Sequence, residues 1–228
     1  VALSVSDVRV VVDGIATLRV SGKLALASVT AAGAATASYT ALKMGNVTVV
    51  TEVVSGSFAL TGSLTISRLD MNNGATPTAA RLDWTKAFDF NGDGTKDILD
   101  PGALLPTPAA LPIDFAANLE LVLAGGVTGT GQVGAPGAGA GNPADNALLT
   151  FGPVQITGTA QFALSKQTLN VTQADGTVLT SATVQTVALS VSDVGVIVEN
   201  VATLRVSGQL ALASVTAAAA ATASYTAL

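Results

Sequence analysis

The chain has 228 residues and a net charge of −5; it is 49% hydrophobic, yet only 4% of it is aromatic and 11% charged. It contains no Cys and no His, which excludes a disulfide framework and a thiolate metal site and removes the commonest general base. Its ten Lys and Arg residues are scattered singly, a distribution that argues against a nucleic-acid partner.

The opening Val1-Ala2-Leu3-Ser4-Val5 already reads as strand and lacks the basic n-region of a signal peptide. Alternation with period two continues through Val8, Val10 and Val12. Further strands are expected at Ile15–Val20, Lys23–Val29, Val47–Val54, Phe58–Leu69, Leu119–Leu123, Val154–Leu164, Leu169–Thr172 and Val178–Val194. Corners are expected at Asp13-Gly14, Ser21-Gly22, Ser55-Gly56 and Asp175-Gly176. The uncharged stretch Leu24–Leu42 is interrupted by Ser28, Thr30, Thr36, Ser38 and Thr40, so no membrane-spanning helix is expected. The Ala-rich segments 31–42 and 217–228 are read as strands or covered loops.

A repeat organises all of this. Residues 1–42 return at 187–228 with substitutions only at Arg9/Gly195, Val11/Ile197, Asp13/Glu199, Gly14/Asn200, Ile15/Val201, Lys23/Gln209 and Gly33/Ala219. Residues 1–186 are thus one full period and 187–228 begin the next, and such near-identity leads us to expect an array continuing beyond both ends. Gly14 and Asn200 both tolerate the left-handed conformation of a tight turn. Arg9 and Lys23 lose their charge in the second copy, so neither carries a required chemistry. Within the period a shorter theme recurs at Val20-Ser21-Gly22, Val54-Ser55-Gly56, Ile156-Thr157-Gly158 and Val206-Ser207-Gly208, each leading to a strand that closes on Ala-Leu.

These features give an all-β fold. Small side chains and tandem growth favour a β-solenoid, and an antiparallel β-sandwich or meander is the alternative. Two stretches interrupt the pattern. Residues 83–114 hold the only Trp and a dense acidic cluster, and residues 125–146 are Gly- and Ala-rich and read as a surface loop. Gly129 to Gly134 match GxGxxG, but Ala135-Pro136-Gly137 follow where a phosphate-binding helix would begin. Trp84 and Phe88 are read as an anchor packing the first insert onto the β body.

One motif carries chemistry. Asp89, Asn91, Asp93, Asp97 and Asp100 occupy positions 1, 3, 5, 9 and 12 of a twelve-residue loop, with Gly94 at 6 and the Thr95 carbonyl at 7. That is the ligand register of an EF-hand-type Ca2+ loop. With Asp at position 12, the loop resembles that of dockerin modules. The resemblance implies calcium on Asp89, Asn91, Asp93, Thr95, Asp97 and Asp100. Pro101-Gly102 stops any helix leaving the loop, so cohesin binding is not implied. The competing reading is a solvated acidic turn.

The chain as a whole resembles the repeat regions of very large bacterial secreted and cell-surface proteins. The resemblance rests on Val5-Ser6-Asp7-Val8, Leu18 to Leu26, Ile156 to Leu164 and Ala174-Asp175-Gly176-Thr177. It implies an extracellular, calcium-stabilised stalk, adhesin or filament without enzymatic activity. Its partners would be neighbouring repeats, further copies or other matrix components. A β-helix enzyme acting on polysaccharide would need converging acidic and basic groups, and an outer-membrane β-barrel would need aromatic girdles. The sequence supplies neither.

Overall fold

The structure is a computed structural model describing residues 1–13, 16–32, 38–55, 58–76, 79–132, 146–198, 200–218 and 224–228. Its strands are β1 (Ala2–Val12), β2 (Ala16–Thr30), β3 (Ser38–Ser55), β4 (Phe58–Asn73), β5 (Leu119–Gly129), β6 (Gly131–Gln132), β7 (Asn146–Phe151), β8 (Val154–Thr172), β9 (Val178–Val198), β10 (Ala202–Thr216) and β11 (Ser224–Ala227). They form one 11-stranded sheet in the order β1-β2-β3-β4-β5-β8-β9-β10-β11, with β6 and β7 beside this path.

The fold is therefore all-β, as expected, but every described pairing is antiparallel. This is the meander alternative. The preferred solenoid finds no support, because no described strand makes the coil-on-coil parallel pairing it requires. Where the connection is described, as at Gly152-Pro153 between β7 and β8 and at 173–177 between β8 and β9, it is a short turn, and a hairpin can only reverse the chain. Gly176 (φ +84°) and Asn200 (φ +57°) sit in two of these turns in the left-handed region, so Asn200 does what its place opposite Gly14 in the repeat suggested. Gly14 and Gly56 lie outside the described residues.

The two copies of the repeat keep the same register. Ala2 pairs with Ala25, Val8 with Val20 and Val12 with Ala16; their equivalents Ala188–Ala211, Val194–Val206 and Val198–Ala202 pair likewise. Ala27–Ala41 and Ala213–Ala227 also correspond. Asp7 and Asp193 both adopt positive φ, and each donates its backbone N–H to a serine hydroxyl at 2.9 Å, Ser21 and Ser207 respectively. Arg19–Asp7 and Arg205–Asp193 are equivalent ion pairs.

Ser21-Gly22 proves not to be a corner: both residues lie inside β2, where the register slips opposite Asn46 and Val47. Gly158 lies inside β8 opposite the same kind of slip at Asp193 and Val194. At Gly22, Gly158 and Gly208 the recurring aliphatic-Ser/Thr-Gly theme thus marks β-bulges, whereas Val54-Ser55 ends β3. The bulged strand bulges toward a neighbour that has no side chain to offer, and local twist increases. The Gly-rich stretch is likewise shorter than expected, since residues 125–129 complete β5 and 131–132 form β6. Residues 133–145 lie outside the described residues.

Alternation along each strand gives the sheet two unlike faces. On one, Ala25, Ala27 and Ala41 are buried beneath the insert. On the other, one cross-strand row runs from Leu3 through Leu24, Met44, Leu69, Leu123 and Leu164 to Val187 and Leu212. Within this row Leu3 and Val187 are uncovered, at 53% and 41% exposed.

Candidate functional site

The insert is held by its aromatic end. Trp84 is fully buried against Ala25, Ala27 and Ala41, with Leu111, Ile113 and Phe115 around it. Small residues on β2 and β3 leave room for an indole, which explains why these strands use Ala where their other face uses Leu. The indole Nε1–H donates to Asn72 Oδ1 at 2.9 Å, and the Asn72 amide donates to the Leu82 and Ala116 carbonyls at 3.0 and 3.3 Å. A buried indole N–H needs such a partner. Asn72, itself buried at the end of β4, therefore clasps both ends of the insert. The anchor role expected for Trp84 holds. Asn72 escapes a reading of the sequence, because a polar residue at a strand end carries no signal that a tryptophan twelve positions on will need it.

From this core a run of rings leads outward. Phe88 lies 5.8 Å from Trp84, and Phe90 stacks on Phe88 at 5.2 Å and 11°. The acidic turn begins there. Asp89 accepts from the backbone N–H groups of Gly92 (2.7 Å) and Gly94 (3.0 Å). Asn91 Oδ1 accepts from Asp93 N–H, and Asp93 Oδ1 accepts from both Thr95 N–H and its hydroxyl. Gly92 and Gly94, at φ +74° and +83°, supply the left-handed steps that this winding needs. Asp97 closes the turn by accepting from Phe90 N–H at 2.7 Å, beside the Phe88–Asp97 bridge.

The turn links Asn91, Asp93 and Thr95 directly, while Asp89 and Asp97 each serve separate backbone N–H groups. Asp100 is engaged elsewhere. Its Oδ1 accepts from Gly102 N–H and Leu111 N–H, both at 2.9 Å, capping the short 3-10 turn Pro101–Leu104 and tying it to the returning chain. Oxygen donors at 89, 91, 93 and 97 suit a hard cation, whereas Asp100 in this role does not supply the closing ligand. Among the described residues no three acidic side chains converge as a metal-binding group. The Asp93 carboxyl is held below the usual carboxylate range by the Thr95 hydroxyl first, then by Thr95 N–H and Asn91. Asp83, at the other end of the insert, is lowered chiefly by the Thr85 hydroxyl. Both stay ionised at neutral pH.

Among the described residues, several hollows lie outside the insert, one of them beside Asp175 and Tyr225. A trough of about 820 Å³ across β4, β5, β8, β9 and β10 is lined by groups such as Ser63, Thr65, Thr128, Gln161 and Ser190, with no acid or base among them. A second hollow of about 1200 Å³ contains Arg81, Glu120 and Lys166, but Glu120 is engaged by both cations. A glycosidase needs a second carboxylate facing the first, and none lines this hollow. Among the described residues, no helix is long and apolar enough to cross a membrane.

Compared with protein-family models, curated proteins and solved structures, the chain matches none.

Proposed function

We propose that this chain is a unit of an extracellular or cell-surface structural array, a stalk, adhesin or filament whose successive periods continue one antiparallel sheet, and that it is not an enzyme. The observation that carries this reading is the identical register of the two repeat copies within a single sheet. From β1 to its equivalent in β9 the path adds β2, β3, β4, β5, β8 and β9. An even number of antiparallel steps returns the chain to its starting direction, so the pattern can continue without a break. An antibody against residues 89–100 should label intact cells of the source organism; labelling only after lysis would overturn the surface assignment.

Calcium at the acidic turn would order the insert, and its contribution would be structural. At a calcium concentration about 100-fold above the dissociation constant, linkage adds about 2.7 kcal/mol. Thermal melting in calcium should therefore exceed melting in chelator, and Asp93→Ala should erase the difference. Identical melting curves for the unmodified chain would reduce the turn to a loop satisfied by its own backbone.

The apolar row, uncovered at Leu3 and Val187, favours a second reading, a membrane β-barrel with that face toward lipid. Against it stands the 4% aromatic content, too low for aromatic girdles at both interfaces. Failure of the chain to partition into detergent micelles would eliminate it.

A further inference from the structure

The repeat allows each edge of the sheet to be compared with the same strand in an interior setting. β9 contains the equivalent of β1 and is covered on one side by β10, the equivalent of β2, and on the other by β8. On β1 only the first of these two partners is present among the described residues. We propose that the outer edge of β1 is an acceptor for a β8-type strand supplied by an adjoining repeat, in the register that β8 keeps on β9. The proposal rests on the array reading and names the contact by which one period would join the next.

The backbone of β1 is set for this. Val1 and Leu26 exchange both of their backbone hydrogen bonds, at 2.7 and 2.8 Å. Antiparallel alternation then turns the N–H and C=O groups of Ala2 and Ser4 away from β2, toward the open edge. Their equivalents Ala188 and Ser190 stand opposite Ala163 and Gln161 of β8. Carried over by the repeat offset, the register sets Ala163 against Ala2, Gln161 against Ser4 and Ala160 against Val5. Addition of an extended strand to a sheet edge draws affinity from the backbone bonds and selectivity from alternate side chains.

Two positions distinguish the two settings, the apolar swap Val11/Ile197 and the change Arg9/Gly195. Thr157 stands opposite Gly195, where a Cβ would lie 2.7 Å from the Thr157 hydroxyl oxygen; on β1 that position is Arg9. The Thr157 oxygen is also buried without a hydrogen-bond partner. The strand that fits β1 therefore carries a smaller, hydroxyl-free residue there, and a Thr157→Ala version of the β8 sequence should bind β1 better than the native one.

The test uses the whole chain and synthetic peptides of residues 154–172. Binding of the Thr157→Ala peptide should slow hydrogen exchange at Ala2 and Ser4 by about tenfold or more, with a scrambled peptide giving no effect. Ser4→Pro removes an outward donor at an edge position where proline is tolerated and should abolish the slowing while β2–β4 exchange as before. Because the chain has no native Cys, register can be read independently. A Val5→Cys chain should form a disulfide with a peptide carrying Ala160→Cys at least about tenfold faster than with one carrying Gln155→Cys. Equal slowing by the scrambled peptide, a native peptide binding as well as Thr157→Ala, or capture independent of cysteine position would each overturn the proposal. So would β1 amides already protected by β1–β1 pairing in a dimer. Continuity of the sheet across covalently joined periods is read separately by imaging a chain of several periods, so failure of peptide binding here is separable from failure of the array reading.

Discussion

Replacing Trp84 with Ala should lower the free energy of unfolding by about 3–5 kcal/mol, the usual cost of truncating a buried aromatic. The side chain is fully buried, and its removal also leaves Asn72 Oδ1 without the indole donor it serves. The expected result is loss of protection in residues 82–115 ahead of the sheet, since β5, β8, β9 and β10 make no contribution to this core cluster beyond partly buried Leu119. Urea unfolding followed by hydrogen exchange would show it. A loss under about 1 kcal/mol, far below the cost of a buried aromatic, would mean that the alanine platform does not hold the insert.

The second large effect comes from a single methyl group. Gly22→Ala would place a Cβ 2.6 Å from Val47 Cα, at a φ of +149° that side chains rarely adopt. Overpacking against backbone costs about 1–3 kcal/mol, and left-handed strain about 1–2 kcal/mol more. The repeat supplies the control. Gly208 is the equivalent of Gly22, but a Cβ there meets nothing within 4 Å, so Gly208→Ala should be close to neutral. Equal effects of the two substitutions would show that the cost lies in local backbone preference and not in the β2–β3 bulge.

That contrast also shows what a sequence can convey. The repeat, the strands and the insert are legible because apolar alternation and near-identity are written in the order of residues. Val-Ser-Gly reads as a corner because glycine commonly serves there; only the neighbouring strand, with Asn46 at positive φ, makes Gly22 a bulge partner. The preference for a solenoid over a meander is left unconfirmed for a related reason. Parallel and antiparallel pairing use the same alternating side chains, and what separates them is where the chain goes after each turn. At the acidic loop the tight winding from Asp89 to Asp97 is legible, since Gly92 and Gly94 supply its left-handed steps. Asp100 is diverted by Gly102 and Leu111, the latter a contact made by chain returning eleven residues later.

In the proposed array, successive periods extend one sheet. A chain of four periods imaged by electron cryo-microscopy tests this most directly. Six path strands at about 4.8 Å each give a rise of about 29 Å per period, and a twist of about 20–25° per strand gives a rotation of roughly 120–150°. An unbroken ribbon with that repeat is expected, each β1 equivalent flanked by a β8 and a β2 equivalent. Four separate bodies joined by linkers, with independent orientations and β1 edges left open, would contradict it.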